Sequence, residues 1–523
     1  MAERAQPVTR AWPGIGAAAL VVALTLGSLA AVALRAESPG RFAAADWAAL
    51  RFTLWQALLS ALISVTLAVP VARGLARRRF AGRGLLISLL GAPFILPTIV
   101  AVLGLLAVFG RNGLISDVLG WFGLPPVQIY GLHGVVLAHV FFNLPLATRL
   151  ILQAWLAIPS EQFRLAATLG FDARDVARVL ERPMLRDVLP GAFMVIFVIC
   201  ITSFAVALAL GGGPKATTIE LAIYQAFRFE FDLGKAALLA LVQFAICAAA
   251  ALAMLRLRVP LAHTAGLDRP VQRWDAAGGR QRAADAVWIG LAGAFLLAPL
   301  SMIVLRGLPG LASLSAPVIA AAGRSVLVAL GSTVLAVGLS LSMALAIETL
   351  RGRRLAGVLE TVGYLAIAAS PLVIGTGLFI VLFPMVDPTR LALPLTALVN
   401  AVMALPFALR ILVPAVARTE RQFGRLADSL ALTGWPRLRH VLLPRLRRPL
   451  GFAAGLAAAM SMGDLGVIAL FAAPGEATLP LQLYRLMATY RMEAAAGAAL
   501  LLLGLSLGLF WLFDRGGRMN AAT

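Results

Sequence analysis

Long apolar runs separated by short polar segments dominate this chain of 523 residues. A run of about 20 apolar residues is long enough to cross the hydrocarbon core of a bilayer as a helix. Each such run must be helical, because backbone groups in hydrocarbon have no water to bond. The runs lie near residues 14–34, 52–75, 84–108, 134–156, 188–210, 235–255, 287–305, 325–347, 357–383, 392–416, 450–472 and 493–513. The pattern predicts an all-α, polytopic membrane protein with about 12 transmembrane helices, the first of them uncleaved.

Two long polar segments, one in each half of the chain, form a repeat. The first polar segment, residues 160–186, has the sequence SEQFRLAATLGFDARDVARVLERPMLR. The second polar segment, residues 421–447, has the sequence RQFGRLADSLALTGWPRLRHVLLPRLR. One shift of 261 residues pairs Arg164 with Arg425, Leu165 with Leu426, Ala166 with Ala427, Leu169 with Leu430 and Pro183 with Pro444. A register without gaps indicates an internal repeat, and here it predicts two homologous six-helix halves.

The boundaries of the halves follow from the polar stretch between the sixth and seventh runs. We place the halves at residues 1–258 and 285–523, with their repeated cores near 50–258 and 321–514. The stretch 259–284 between them holds Pro260, Pro270 and a glycine pair amid charged residues. Such a composition predicts a solvated linker.

Composition and charge place the polar segments on one side of a membrane. Hydrophobic residues make up 61% of the chain and charged residues only 13%, which excludes a soluble protein. The net charge of +21 comes from arginines in alternate loops, including both polar segments and the linker. The positive-inside rule therefore predicts that these loops and both termini are cytoplasmic, and it explains the charge without nucleic acid.

Several kinds of chemical site are excluded. Cys200 and Cys247 lie in apolar runs, and the sequence has no motif typical of a metal site. The stretch GGGPKATT that begins at Gly211 has a proline, Pro214, where a nucleotide-binding loop needs the glycine before its lysine. We therefore expect no nucleotide site, no cofactor and no enzymatic activity in this chain.

The polar segments have the features of a docking helix. Leu165, Ala166 and Leu169 follow helical spacing and predict a short apolar stripe on a charged segment. Gly170 should end this helix, and Ala431 takes its place in the second copy. The arginine-rich turns that follow should end or kink at Pro183 and Pro444. A short helix of this kind suits the groove of a partner protein, and membrane lipid is the alternative partner for its arginines.

At these residues the chain resembles the inner-membrane permeases of type I, binding-protein-dependent ABC importers. Their cytoplasmic EAA loop places a glycine thirteen residues before a proline, the spacing of Gly170 and Pro183 and of Ala431 and Pro444. Ala166 and Ala427 match the second alanine of that motif. The departures are Arg164 and Arg425 at the glutamate, and Leu165 and Leu426 at the first alanine. They leave the docking role intact but remove the glutamate contact.

The resemblance implies a bacterial inner-membrane transport subunit with two kinds of partner. An ABC ATPase dimer would dock on the cytoplasmic loops, and a periplasmic substrate-binding protein would deliver the substrate. The strings FFNLPLATR at 141–149 and GGGPKATTIELAIYQA at 211–226 most resemble permeases for thiamine and thiamine phosphates. Permeases for ferric iron, sulfate or polyamine are the alternatives within the class.

Two alternatives lie outside the class. A secondary transporter should carry charged or broken spans near the membrane midplane, and the sequence shows little of this beyond Asp464. A membrane-embedded enzyme should carry a cluster of polar catalytic residues in or beside its spans, and the sequence shows no such cluster.

Asp464 is the residue within a span that most needs an explanation. A carboxylate inside an apolar run is costly and is a candidate for function, here a contact with a cationic substrate. A structural role, bonding to nearby backbone groups, is the interpretation we favour. Phe204 occupies the matching position of the first half.

The repeat also extends into the outward loops. Thr218 matches Thr478 and Tyr224 matches Tyr484, each by a shift of 260 residues. These four residues are candidate contacts for the binding protein. The tyrosines would serve equally well in the aromatic belt of the membrane interface.

Overall fold

The structure is a computed structural model, and it describes residues 10–36, 42–91, 95–213, 216–256, 274–276, 278–368, 370–473 and 475–518. Within these ranges every regular element is helical. The first half contains α1 (Trp12–Val22), α2 (Ser28–Arg35), α3 (Ala44–Arg77), α4 (Arg83–Leu89), α5 (Thr98–Phe109), α6 (Leu114–Trp121), α7 (Leu132–Ala157), α8 (Ser160–Thr168), α9 (Ala173–Val176), α10 (Arg182–Ile201), α11 (Phe204–Leu210), α12 (Ile219–Arg228) and α13 (Leu233–Arg256).

The second half follows a similar order of long and short helices, in fewer pieces. It contains α14 (Gly279–Gly310), α15 (Ala316–Thr349), α16 (Arg354–Ala368), α17 (Pro371–Leu382), α18 (Ala392–Ser429), α19 (Gly434–Arg437), α20 (Leu443–Met462), α21 (Gly466–Phe471), α22 (Leu479–Ala488) and α23 (Met492–Arg518). The described residues hold 11 helices long and apolar enough to cross a membrane, or 12 if the bent pair α16 and α17 forms one span. The predicted all-α membrane fold is confirmed.

Four of the predicted spans are broken, which the apolar runs did not indicate. In the third run α4 ends at Leu89 and α5 begins only at Thr98, and in the ninth run α16 and α17 meet at an angle of 93°. In the fifth run α10 ends at Ile201, and in the eleventh run α20 ends at Met462. Proline explains two of the breaks, because Pro97 precedes α5 and Pro371 begins α17, and proline has no N–H to continue a helix.

Pro183 and Pro444 do not end a helix, which was one of the two outcomes predicted for them. A π-helical turn at Ala177–Glu181 joins α9 to α10, and another at Leu438–Leu442 joins α19 to α20. The wider turn lies directly before each proline and changes the hydrogen-bond register where the proline lacks a donor. The second helix of each polar segment therefore continues into the membrane span.

The two halves exchange their first spans. Helices α1 and α2 pack against α15 and α17 of the second half, and α14 packs against α3 and α5 of the first half. Glycines make these crossings close: a Cβ atom on Gly14 would lie 2.3 Å from the Ser342 carbonyl oxygen, and one on Gly377 would lie 2.4 Å from that of Ser28. The exchange interlocks the halves.

Most described residues of the linker are exposed, but Trp274 and Asp275 also contact the rest of the protein. Asp275 is buried and lies 3.7 Å from Arg77 of α3. The Trp274 indole N–H donates to the Phe171 carbonyl in the first polar segment, at 3.4 Å. These residues therefore belong to the packed structure around the first polar segment. Pro260, Pro270, Pro214 and Lys215 lie outside the described residues.

The crossing of α1 and α15 gives a test of this packing. Gly14→Ala places a methyl group against Ser342 and Ala346 and should destabilise the protein by about 1–3 kcal/mol through overpacking. A lower midpoint of thermal unfolding in detergent would show it. Gly16→Ala, on the same helix with nothing within 4 Å, is the matched control. Equal midpoints for the two variants would contradict the close crossing.

Candidate functional site

Each polar segment contains a helix that ends in a left-handed residue. Gly170 has φ of 70° and Ala431 has φ of 53°. After each of them the chain closes the helix with the same hydrogen bond: the Phe171 N–H donates to the Ala166 carbonyl at 3.0 Å, and the Leu432 N–H donates to the Ala427 carbonyl at 2.9 Å. This is the Schellman arrangement, which favours glycine at the left-handed position. Ala431 adopts it at a cost of roughly 1 kcal/mol.

The predicted apolar stripe is divided between two faces. Ala166 and Ala427 are buried, at 3% and 1% exposure, and face the body of the protein. The leucines of the repeat point away from it and are more than half exposed: Leu165, Leu169, Leu426 and Leu430. Arg164 and Arg425 are exposed beside them. The alanines therefore pack each helix against the body of the protein, and the leucines form an exposed apolar surface.

Buried ion pairs hold the first polar segment against the first half. Glu181, in its π-helical turn, is 3% exposed and lies 3.0 Å from both Arg73 and Arg77 of α3. The Trp155 indole N–H donates to the same carboxylate at 3.3 Å. Glu181 thus links the segment to α3, and removal of either partner would leave a buried charge without its counterion.

The second polar segment is held by a different ion pair. Arg437 of α19 is buried and donates to Glu420 and Asp428, both on α18, with an Nη1–Oδ1 distance of 2.6 Å to Asp428. The repeat places Val176 opposite Arg437 and Leu442 opposite Glu181. The two segments thus have the same shape but unrelated charged contacts, and the repeat gave no signal for them.

The turn after Gly170 is also built differently from its counterpart. The Asp172 carboxylate accepts hydrogen bonds from the N–H groups of Arg174 at 2.7 Å and Asp175 at 2.8 Å. These N–H groups hold the pKa of Asp172 below its usual range. Thr433 takes this place in the second copy and makes no such bond. The first turn is therefore capped and the second is not.

The candidate outward residues occupy equivalent places in the two halves. Thr218 and Thr478 are buried immediately before α12 and α22. The first N–H of each helix donates to a hydroxyl of a neighbouring span: Ile219 to Thr53 at 2.9 Å and Leu479 to Ser325 at 2.7 Å. Thr218 and Thr478 therefore do not lie on the surface in this conformation.

The tyrosines are half-buried between the halves. The Tyr224 ring meets Phe204 edge-on at 5.2 Å, and Tyr224 and Tyr484 both pack against the largest apolar cluster. Phe227 of α12 lies edge-on to Phe379 of α17 at 4.6 Å, which extends the aromatic contact across the two halves.

A cavity of about 140 Å³ lies where the four broken spans meet. Its lining includes Thr98, Thr202, Pro371 and Gly463, one residue from each break, together with Asp464. Asp464 is half-buried, and its carboxylate interacts with the N–H groups at the start of α21, Gly466, Val467 and Ile468. The interaction of Asp464 with nearby backbone groups, which we favoured from the sequence, is thus present. It places the carboxylate at the wall of the cavity.

Glu220 also lines this cavity, and sequence reasoning missed it. It is the second residue of α12 and is completely buried. In the sequence it stands beside an outward loop, where an acidic residue needs no explanation. Glu220 reaches the breaks only because α12 folds back between the spans.

Comparison with known proteins identifies the class of transporter. Residues 336–516 match the family model described as "Binding-protein-dependent transport system inner membrane component". The "Thiamine transport system permease protein ThiP" of Escherichia coli (strain K12) is 40% identical over 540 residues, covering 100% of both chains. The chain belongs to the family of thiamine transport system permease proteins. This permease is a multi-pass inner-membrane transport component and not an enzyme.

Other relatives of the permease agree. Proteins of the same name from Salmonella typhimurium and Brucella abortus are 41% and 39% identical, and each match covers 98% of this chain and at least 96% of the relative. A probable sulfate transport system permease protein from Helicosporidium is 26% identical over only 35% of the chain. The sequence led us to expect few broken spans, and this expectation is wrong, because four spans are broken. Broken spans also occur in secondary transporters. Family membership is therefore what separates this permease from them.

The left-handed residues Gly170 and Ala431 give a prediction for the permease. Ala431→Gly should stabilise the protein by roughly 1 kcal/mol, because glycine adopts positive φ without steric cost. Gly170→Ala should destabilise it by a similar amount. Thermal unfolding of the purified variants measures both, and changes of the same sign would contradict the Schellman geometry.

Proposed function

We propose that this permease moves thiamine and thiamine phosphates from a periplasmic binding protein into the cytoplasm, with a separate ATPase dimer as the motor. The observation that supports the substrate is the identity of about 40% over the full length with thiamine permeases of three genera. The coupling to ATP is supported by the two polar segments. Both polar segments and both termini are cytoplasmic in this proposal, as the distribution of arginines indicates.

The docking surface for the ATPase is the exposed apolar face of each polar segment. Leu165 and Leu169 on one segment, and Leu426 and Leu430 on the other, are at least 55% exposed although they are large and apolar. An exposed apolar helix face flanked by arginines fits a groove of a partner protein. Anionic lipid is the alternative partner, but the recurrence of the same exposed leucines in both halves favours a partner that offers two equivalent grooves.

Force on a docked segment has a direct path to the cavity. The helix that begins in the first polar segment spans Ala173–Ile201 and ends beside the cavity residues Thr202 and Phe204. The equivalent helix begins at Gly434 and reaches the break at Gly463 and Asp464. At about 1.5 Å per residue each helix carries a displacement over about 40 Å. Movement of the segments would therefore open or close the breaks around the cavity.

Reconstitution tests the proposed substrate and energy source. Vesicles containing the permease with its ATPase should take up labelled thiamine when ATP and the binding protein are present. Ferric iron and sulfate serve as the competing substrates. Uptake of iron or sulfate in preference to thiamine, or thiamine uptake without ATP, would overturn the proposal.

The docking surface gives a second test. The pair of substitutions Leu165→Glu and Leu426→Glu should lower binding-protein-stimulated ATP hydrolysis by about tenfold or more, because each buries a carboxylate in an apolar contact. Expression and membrane insertion should stay normal. Val386→Glu, an exposed apolar position beyond the end of α17, is the control. Full stimulation in the double variant would remove the docking role.

A further inference from the structure

Two carboxylates line the cavity between the halves, and each has an oxygen without a partner. Glu220 is 0% exposed; its Oε1 accepts a hydrogen bond from the Gln243 amide at 3.3 Å, and its Oε2 accepts none. Asp464 Oδ2 is a buried atom that also accepts none. Among the residues that the structure describes, neither side chain takes part in a salt bridge.

The two carboxylates come from different halves and have no acidic counterparts. The repeat places Phe204 opposite Asp464 and Pro480 opposite Glu220. Neither carboxylate is therefore part of the pattern that the two halves share. Each keeps one buried oxygen without a partner, and such an oxygen in a membrane interior is costly and marks a candidate binding site.

The remaining wall of the cavity suits a flat, positively charged ring. Phe204 lies in the lining with the two carboxylates, and an aromatic face attracts a cation. A cavity of about 150 Å³ in a protein core is large enough for benzene. The cavity of about 140 Å³ between the halves therefore has room for one ring, though not for a two-ring molecule.

We propose that this cavity is a transit subsite for the cationic ring of an organic cation, held between Glu220 of the first half and Asp464 of the second. This inference rests on the proposed function, in which thiamine supplies the cation as its thiazolium ring. Since each half contributes one carboxylate, the ring is held only while the two carboxylates face each other across the cavity. Rearrangement of the breaks, driven by the polar segments, would move the carboxylates apart and release the ring.

Two other occupants fit the cavity less well. A metal ion would need more ligands, and the described residues include no group of three His, Cys, Asp or Glu side chains that could hold one. An anion such as a phosphate group would face two carboxylates, and the described lining residues include no arginine or lysine. The charge, the ring-sized volume and the aromatic wall together favour an organic cation.

Nearly isosteric substitutions in the full transporter test the subsite. We expect Glu220→Gln and Asp464→Asn each to lower the thiamine imported per ATP hydrolysed on the order of tenfold, the effect of losing one hydrogen bond to a charged group. ATP hydrolysis itself and thermal stability should stay near wild type, which a structural role would not allow. Phe204→Leu should lower the same ratio, and Phe204→Tyr should restore it. Asp117→Asn, an exposed carboxylate on α6, is the control.

The outcomes separate this inference from the proposed function. Absence of ATP-driven thiamine uptake by the wild-type transporter would count against the proposed function. Normal uptake by the wild type together with an unchanged ratio in the Glu220→Gln and Asp464→Asn variants would overturn the subsite alone. Failure of either single variant to assemble would show that the carboxylates are structural, and would overturn it as well.

Discussion

The hydrogen bonding of the backbone inside hydrocarbon is the constraint on which this structure depends. A broken span leaves N–H and C=O groups that lipid cannot satisfy, so a break is tolerated only where protein or a cavity surrounds it. The four breaks of this permease meet at one place between the halves. Hydroxyl groups help to satisfy the free backbone groups at the breaks: the Ser370 hydroxyl accepts a hydrogen bond from the Leu372 N–H at 3.1 Å. The least regular backbone and the candidate transport path thus coincide.

Much of the architecture followed from periodicity and repetition. Apolar length predicted the spans because crossing a bilayer sets a minimum number of residues. Apolar length could not predict the breaks, because the run that contains Pro97 is as long and as apolar as a run that forms one continuous helix. The ion pairs of Glu181 and Arg437 could not be predicted from the sequence either, because their partners are fixed by the tertiary fold and differ between the halves. Glu220 was missed for the same reason.

Exchange of the first spans and the location of the cavity are connected. Because α1 and α2 pack on the second half and α14 packs on the first, the halves cannot separate without breaking close helix crossings such as that of Gly14. The short pieces beside the breaks are deeply buried as well: five of the six residues of α21 are buried. The close crossings of the first spans thus keep the two halves together around the broken spans and the cavity.

The linker has a consequence for the motor. Asp275 lies 3.7 Å from Arg77, which also pairs with Glu181 of the first polar segment, while in the second Arg437 pairs with Glu420 and Asp428. In the proposed function, an ATPase dimer would therefore dock on two segments of the same shape that are held by different contacts. Its two nucleotide sites would then work against unequal mechanical loads, although the repeat makes the two segments look equivalent.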